Sequence, residues 1–463
     1  MISNSTRRWP GYGAVWRWHF YAGLFCIPFI LWLACTGSIY VWRPQIEALI
    51  DRPYADVAIA GQRASAAAIA NAAERAVPGS ILHRYQLPAT TTQAVQVIVG
   101  SGRHETRVYV HPQTLAILKT ADEDSRLMAV VSRLHGELLI GNPGSYIVEL
   151  AASWAIVMIL SGLFLWWPRG TGFAGVLYPR LSARRRPFWR DLHAVIGFWV
   201  SIFALCFLIS GLPWAKSWGG NLKIVRALAA APTAPQDWTT GHSDELKIRS
   251  VRDQAARAIP DEHTGHQGMI MPVPKVDHSP LDRLAATVVP LNLAPPVLIA
   301  PPTRSGQPWT AKSDAADRPL RTDLTLDAAS GRILSRRDFG ERPVIDRMVG
   351  YGVAAHEGQL FGLANQIFNL GIAIGLITLA ISGALMWWRR KPGTELGAPP
   401  PRASSPAAIG FVALIVVLGL LLPMLGGSMI IVLLVERQLL RRIPSASRWL
   451  GLDARNAATQ SPA

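Results

Sequence analysis

The sequence predicts an α-helical integral membrane protein: an internally duplicated bundle of four core transmembrane helices, a C-terminal hydrophobic segment and two outer α+β modules. Three observations predict this fold class. Half of the 463 residues are hydrophobic and the mean hydropathy is positive, which is unusual for a soluble chain of this length. Several apolar runs are long enough to cross a bilayer. Two sets of short motifs recur at equal offsets in the two halves, as a tandem duplication requires.

The basic residues lie beside the hydrophobic runs. The 46 Lys and Arg exceed the 30 Asp and Glu, which gives a formal net charge of +16. A nucleic-acid-binding protein would carry its basic residues as a patch on a soluble face, and this sequence lacks that pattern. We therefore expect the lipid bilayer, and no nucleic acid, as a partner. The three cysteines lie inside apolar runs without a Cys-x-x-Cys pair, so we expect no disulfide.

Four segments supply the roughly 20 apolar residues that a membrane-spanning helix needs. They are residues 20–41, 146–167, 193–215 and 365–388. A fifth apolar stretch, 407–435, is interrupted by Pro423, Gly426 and Gly427. Two interpretations of this stretch remain open. It either crosses the membrane once or forms a re-entrant hairpin that turns at the interruption.

Arginine and lysine set the expected orientation, because short cytoplasmic loops carry an excess of them. The N-terminus and the links after the second and fourth helices are basic, so we place them in the cytoplasm and the long connections outside. The predicted division is 1–42 (N-terminus and first helix), 43–125 (first outer module), 126–167 (histidine motif and second helix), 168–192 (basic link), 193–215 (third helix), 216–345 (second outer module), 346–388 (histidine motif and fourth helix), 389–406 (cytoplasmic link), 407–435 (hydrophobic segment) and 436–463 (basic tail).

The repeat is most distinct around four histidines. His19 and His193 are each followed by glycine four residues later and by a hydroxyl residue and glycine at 17 and 18 residues. His135 and His356 are each followed by glycine at 6 residues, Ser-Gly at 26 and 27, and Trp-Trp at 31 and 32. The matching dipeptides are Thr36-Gly37 and Ser210-Gly211 for the first pair, and Ser161-Gly162 and Ser382-Gly383 for the second.

Histidine at a membrane span is costly and is a functional candidate. The duplication predicts that His19 and His193 face each other near the cytoplasmic side, and His135 and His356 near the outer side. Two neutral imidazoles across a gap suit bis-axial ligation of a haem iron. The glycine one turn after His19 and His193 leaves room for a flat porphyrin. Eighteen residues of helix span about 27 Å, so one haem near each face would form an electron path across the membrane.

Zinc is the main alternative to haem as the group that the paired histidines bind. It needs four ligands, and no cysteine or acid pair recurs at the right depth, since Glu149 has Leu370 at its equivalent position. Glu137 and Glu357, beside the outer histidines, are candidates to ligate or orient them. Structural or proton-relay roles for the histidines also remain open.

The string at 170–175 matches a dinucleotide fingerprint, but it follows a membrane helix instead of a strand. The electron donor is therefore expected to be separate.

The sequence resembles the PepSY-associated transmembrane family, which includes inner-membrane ferric-siderophore reductases of the ferrioxamine type. The resemblance is carried by residues 16–23 (WRWHFYAG), by the motif at 135–141 (HGELLIG) and by its copy at His356. The Ser-Gly and Trp-Trp-Arg helix ends and the two outer modules, which are similar to PepSY modules, complete it. It covers most of the chain up to about residue 390.

The resemblance implies two haem b groups with His19, His135, His193 and His356 as the axial ligands of iron. It implies a multi-pass protein of the bacterial inner membrane with periplasmic long loops. Electrons would pass from a separate cytoplasmic donor or quinol to a periplasmic ferric siderophore. Reduction weakens the hold of hard oxygen ligands on iron and releases it. The alternatives are a haem electron carrier for another periplasmic acceptor, and a non-redox PepSY regulator or protease inhibitor.

Overall fold

The computed structural model describes residues 11–167, 174–180, 186–229, 239–257, 277–302, 307–399 and 409–452. The chain forms two compact units. The first, which we call the helical unit, comprises Met1–Ser38, His135–Ile224 and Phe368–Ala463. The second, the sheet unit, comprises Ile39–Leu134 and Val225–Ile367. Each unit therefore draws on both halves of the sequence.

The chain contains helices and strands in the following order. The α-helices are α1 (Tyr12–Tyr40), α2 (Arg43–Asp51), α3 (Ala66–Ala76), α4 (Leu127–Glu137), α5 (Asn142–Trp166), α6 (Arg186–Gly211), α7 (Lys216–Ala229), α8 (His242–Arg257), α9 (Pro280–Val288), α10 (Val344–His356), α11 (Gly362–Arg390), α12 (Ile409–Leu421), α13 (Pro423–Gln438) and α14 (Pro444–Trp449). The strands are β1 (Ile81–Leu87), β2 (Val95–Ser101), β3 (His104–Val110), β4 (Ile117–Asp122), β5 (Val297–Ala300), β6 (Trp309–Ser313), β7 (Thr322–Leu326) and β8 (Ile333–Asp338).

Five helical segments within the described residues are long and apolar enough to cross a membrane. They are Tyr12–Tyr40, Asn142–Trp166, Pro187–Trp214, Gly362–Arg390 and Pro423–Arg442. The first four contain most of each predicted span, and the protein is accordingly a multi-pass membrane protein. The helices α1 and α6 begin earlier than predicted because helical backbone continues through aromatic and basic residues that a hydropathy criterion excludes. The histidines His19 and His193 consequently lie inside helices, instead of at their ends.

Helix α5 is the centre of the helical unit. On one side, its Ile156 is buried with Val15 of α1 and Leu425 of α13. On another side, its Ile159 is buried with Val200 of α6, in a cluster that also includes residues of α11. Apolar residues on several faces of α5 are typical of a helix that is surrounded by other helices. This packing fixes α1 and α6 relative to each other.

The helices α12 and α13 form a hairpin. Pro423 lacks a backbone N–H and begins α13 directly after α12, as its missing donor favours. A side chain at Gly426 would collide with the backbone carbonyl of Gly419, so the two helices fold back closely on each other. The 13 residues of α12 measure about 20 Å, which is less than the roughly 30 Å of a hydrocarbon core, whereas the 20-residue segment Pro423–Arg442 that begins with α13 measures about 30 Å.

The segments on either side of this hairpin return to the same end of α1. Arg17 donates hydrogen bonds to the carbonyl of Pro399, before the hairpin, and to that of Gly451, after it. The Tyr21 hydroxyl donates to the Leu450 carbonyl at 2.5 Å. This arrangement favours the re-entrant interpretation of residues 407–435, because a single crossing would place the two segments at opposite ends.

We expect the two ends of the described chain to face the same side of the membrane. In a variant without Cys26, Cys35 and Cys206, single cysteines at Tyr12 and Leu452 should both react with an impermeant maleimide from one side of sealed vesicles. In sealed vesicles of the opposite orientation, both cysteines should be protected from the reagent. Labelling of the two positions from opposite sides would mean that the C-terminal segment crosses the membrane once.

The sheet unit contains one antiparallel sheet of eight strands in the order β4-β3-β2-β1-β5-β6-β7-β8. Its halves meet where β1 pairs with β5, with Tyr85 opposite Ile299 and Leu87 opposite Val297. The sequence predicts two outer modules, and the structure adds that their strands are continuous. Each half alone would leave an open strand edge, and pairing satisfies the backbone groups along both edges.

Two helices cover one face of this sheet. Ser65 caps α3 by accepting a hydrogen bond from the Ala68 N–H, as its hydroxyl favours. Helix α9 buries Leu281 and Leu284, and α3 buries Ile69. These residues pack with alternating residues of the strands, such as Val97, because successive side chains of a strand point to opposite faces.

Candidate functional site

His19 lies in the second turn of α1 and contacts α5. Its Nδ1 lies 3.0 Å from the Met158 carbonyl oxygen and 3.1 Å from the Ser161 hydroxyl. A carbonyl oxygen only accepts hydrogen bonds, so Nδ1 carries the proton and donates. The other nitrogen, Nε2, then has its lone pair available as a metal ligand. A Cβ at Gly162 would lie 3.0 Å from the His19 Cε1, so this glycine makes room for the ring.

His193 has equivalent contacts in the second repeat. Its Nδ1 lies 3.0 Å from the Ser382 hydroxyl of α11, and a backbone hydrogen bond joins it to Leu379. A Cβ at Gly383 would lie 3.4 Å from the His193 Cε1. Here too the proton is held on Nδ1, which leaves the Nε2 lone pair available. The two repeats therefore prepare the two imidazoles in the same way.

The structure brings His19 and His193 together. Their ring centres are 6.4 Å apart and their planes are inclined at 80°. Two metal–nitrogen bonds of about 2 Å each, together with two ring radii of about 1 Å, give a centre-to-centre distance of about 6 Å. The observed separation is thus large enough for one metal ion between the rings, and too large for a hydrogen bond between them.

The glycines one turn after these histidines are not needed for close helix packing. A Cβ at Gly23 would meet a single side-chain atom, the Met158 sulfur at 4.0 Å, and one at Gly197 would meet a Leu379 methyl carbon at 3.5 Å. Both distances are ordinary van der Waals contacts. An alanine would therefore fit against the protein alone, which is consistent with the prediction that these glycines leave room for another group.

Aromatic and cationic side chains surround the pair. The Arg390 guanidinium lies 5.3 Å from the Trp16 ring centre and 5.5 Å from that of Phe20. Arg389 lies 5.8 Å from the Trp189 ring centre. Such cation–π contacts contribute about 0.5–1 kcal/mol each at exposed sites. They hold the C-terminal end of α11 against α1 and α6, next to the two histidines.

His135 lies near the C-terminal end of α4 and contacts α1. Its Nδ1 lies 2.9 Å from the Thr36 hydroxyl, and a Cβ at Gly37 would lie 3.4 Å from its Cε1. His356 ends α10 in the sheet unit, whereas His135 belongs to the helical unit. The structure therefore brings together the predicted pair of His19 and His193. The pairing of His135 with His356 stays a prediction from the duplication.

A sharp corner separates His135 from the membrane helix that follows it. Leu138 and Leu139 have positive φ angles of 51° and 59°, and Gly141 has 67°. A side chain at Gly144 would collide with the Glu137 carbonyl. The left-handed conformation is costly for leucine, so the corner is a strained feature that the surrounding packing stabilises. The string HGELLIG, which the sequence singles out, thus forms the turn that positions His135.

Glu149 has a structural role. This residue is 3% exposed, and its carboxylate accepts hydrogen bonds from the backbone N–H groups of Ser217 at 2.8 Å and Trp218 at 3.1 Å. These groups belong to the first turn of α7, where backbone donors lack partners within the helix. A negative charge is also favourable at a helix N-terminus. The lack of a counterpart in the other repeat is explained by this single contact.

We expect Glu149→Ala to destabilise the helical unit by about 1–3 kcal/mol, because it leaves two buried donors without an acceptor. Glu149→Gln should cost less, since the amide oxygen still accepts one of these bonds. The thermal unfolding of the full-length protein in detergent measures both effects. An unchanged melting temperature in Glu149→Ala would argue against the cap.

The sequence motifs single out the histidines but assign no role to the residues that hold them. These are the hydroxyl residues Thr36, Ser161 and Ser382, each followed by a glycine against which the histidine ring packs. Their recurrence at equal offsets in the two repeats is the signal that could have identified them. Residues 170–173 of the dinucleotide-like string lie outside the described residues.

Comparison with known proteins identifies the family of the chain. No curated protein matches the chain. The family model of the PepSY-associated TM region matches residues 16–390, which include all four histidines, their hydroxyl and glycine partners, and both halves of the sheet. Because this match covers most of the sequence, the chain belongs to the PepSY-associated transmembrane family.

Proposed function

We propose that the protein is a di-haem reductase of the bacterial inner membrane that passes electrons to ferric siderophore in the periplasm and so releases ferrous iron. The observation that carries the proposal is the His19–His193 pair. The two imidazoles come from equivalent positions of the repeats, each with its proton held on Nδ1, and lie 6.4 Å apart. His135 and His356 would be the ligands of the second haem.

The residues present fit a haem better than a zinc ion. Where the structure describes the chain, no group of three or more His, Cys, Asp or Glu side chains lies close enough to hold a metal. An iron porphyrin needs only two protein ligands, since its ring supplies the other four. The sparse surroundings of Gly23 and Gly197 provide room beside the pair. When bound, haem supplies one-electron chemistry at an iron whose potential the axial ligands tune.

The protein's own contribution is to hold and separate the two sites. Helix α1 carries His19 near one end, and Gly37, which packs against His135, near the other. The 18 residues between them measure about 27 Å along a helix. One helix therefore holds a residue of each site at a distance comparable to the hydrocarbon thickness. A carrier that moves electrons from a cytoplasmic donor or quinol to the periplasm needs this separation.

The visible spectrum of the detergent-purified protein tests the haem part of the proposal. The reduced protein should show the sharp α band of a bis-histidine haem. Adding ferric siderophores of hydroxamate and catecholate type, without oxygen, should then reoxidise it and release iron that a ferrous chelator captures. The matched control is the same siderophore loaded with gallium, which has the same ligands but accepts no electron.

Each alternative predicts a different result. A haem carrier for another acceptor would show the spectrum but react slowly with ferric siderophores compared with other oxidants. A non-redox regulator or protease inhibitor would purify without colour even when haem is supplied during expression. Either result would contradict the proposed reductase.

A further inference from the structure

The three histidines of the helical unit each contact a partner of the same kind. Each Nδ1 lies close to a serine or threonine hydroxyl on a facing helix, at 3.1 Å for Ser161, 3.0 Å for Ser382 and 2.9 Å for Thr36. We propose that these three hydroxyl residues are positioning residues that fix the tautomer and the ring plane of the histidines. Their effect on haem binding rests on the proposed function, whereas their effect on the tautomer does not.

The direction of these hydrogen bonds follows from where each hydroxyl proton goes. The Ser161 hydroxyl donates to the Met158 carbonyl at 2.9 Å, and that of Ser382 to the Leu379 carbonyl at 3.1 Å. The Thr36 hydroxyl donates to the Trp32 carbonyl at 2.8 Å. A hydroxyl has one proton and two lone pairs. With its proton committed to its own helix, each hydroxyl can only accept from Nδ1–H.

The glycine that follows each hydroxyl fixes the ring position. A Cβ at Gly162, Gly37 or Gly383 would lie 3.0–3.4 Å from the Cε1 of the facing histidine. The His19 ring at Gly162 has the tightest of these contacts, and the rings at Gly37 and Gly383 would just touch a Cβ. The hydroxyl favours the proton on Nδ1, and the glycine determines how closely the ring approaches the facing helix. A Ser/Thr-Gly pair on one helix thereby orients a histidine on the next.

The arrangement has a chemical consequence for a bound iron. An Nδ1–H that donates to oxygen makes Nε2 a stronger electron donor, and such outer partners commonly change metal affinity by about 10-fold to 100-fold when removed. A stronger donor stabilises the ferric state and lowers the reduction potential. The hydroxyls are thus expected to favour transfer of the electron to the next acceptor.

The experiment compares three variants of the full-length protein. Ser161→Ala removes the acceptor, Ser161→Thr retains a hydroxyl, and Ser153→Ala is the matched control. Ser153 lies on the same helix, is 1% exposed and donates to the Glu149 carbonyl at 2.7 Å, but it has no bond to a histidine. Each protein is labelled with ¹⁵N-histidine, and the nitrogen chemical shifts are recorded without haem.

In the haem-free protein, Ser161→Ala leaves only the Met158 carbonyl to accept from the His19 Nδ1–H, so we expect a smaller share of this tautomer than in the wild-type protein. Ser161→Thr and Ser153→Ala should keep the wild-type share. After loading with haem, Ser161→Ala should bind it about 10-fold more weakly and have a higher midpoint potential. Ser161→Thr should have the wild-type haem affinity and the wild-type midpoint potential. A single Nδ1–H tautomer in Ser161→Ala, or equal haem affinity in Ser161→Ala and Ser153→Ala, would overturn the positioning role.

This design separates two kinds of failure. If the wild-type protein binds no haem, the proposed function fails, but the nitrogen shifts still decide whether Ser161 fixes the His19 tautomer. If the protein binds haem and the shifts do not change in Ser161→Ala, the positioning role fails while the reductase proposal stands.

Discussion

The variant His19→Ala should retain about one haem per chain where the wild-type protein binds about two, because a bis-histidine iron loses one of its two protein ligands. The absorbance of the α band in the reduced protein should fall to about half. His193→Ala should give the same result, since the two rings belong to one site. The haem content is measured as the pyridine haemochromogen against protein concentration.

The control is His104→Ala, which removes an exposed histidine of β3. It should keep the full haem content. The double variant His19→Ala/His356→Ala should be colourless, because it removes one ligand from each proposed site. If both His19→Ala and His193→Ala retained the wild-type spectrum, the ligand assignment would be wrong even if the protein contained haem.

The largest expected effect on stability comes from Glu105→Ala in the sheet unit. Glu105 is 2% exposed and accepts hydrogen bonds from His83 Nδ1 at 2.8 Å and from Arg84. Arg249 of α8 forms an ion pair with it at 3.2 Å. Removing the carboxylate takes a buried acceptor from His83 and the ion-pair partner from Arg84, while Arg249 keeps Asp124 at 3.0 Å, so we expect a loss at the lower end of the roughly 3–5 kcal/mol of a broken buried pair. The thermal unfolding of the full-length protein, with proteolysis of the sheet unit as a second probe, measures this loss.

The same carboxylate predicts a pH dependence. Although its burial opposes ionisation, Arg84, His83 and Arg249 together lower the pKa of Glu105 from 4.5 to about 2. A carboxyl group with a lowered pKa stabilises the fold above its unfolded-state pKa and loses this contribution as the pH falls. The wild-type melting temperature should therefore decrease between about pH 5 and pH 2 more steeply than that of Glu105→Ala.

An exposed ion pair provides the matched control for Glu105→Ala. Arg336 and Asp338 are each 48% exposed in their side chains, so Arg336→Ala should cost less than about 1 kcal/mol. A loss in Glu105→Ala no larger than that in Arg336→Ala would show that the buried cluster contributes little to stability.

The architecture could be predicted because two strong signals agree. Long apolar runs identify membrane helices, and equal offsets around His19, His135, His193 and His356 reveal the duplication. The match to the family model over residues 16–390 confirms the family that these motifs predict. Helix ends were less predictable: Trp16 and His19 interrupt the apolar pattern, although they do not interrupt the helix.

The partners of the histidines could not be predicted in the same way. Ser161 lies 142 residues from His19 in sequence, and no short-range pattern links them. A serine in an apolar helix commonly forms a hydrogen bond with the backbone of its own helix, as Ser153 does. The presence of a serine therefore does not by itself indicate a histidine partner. The recurrence of Ser161-Gly162 as Ser382-Gly383 sets Ser161 apart from Ser153 in the sequence, but only the packing of α1 against α5 shows that its partner is His19.

The pairing of β1 with β5 has a consequence for the origin of the protein. Antiparallel pairing of equivalent strands is what an isologous interface produces, because each copy offers the same edge to the other. A half-length ancestor would therefore have assembled as a symmetric homodimer joined along β1. The His19–His193 pair, with one ring from each repeat, would then have required two chains. Fusion of two such copies would have turned that dimer contact into a permanent part of one chain and left the copies free to diverge.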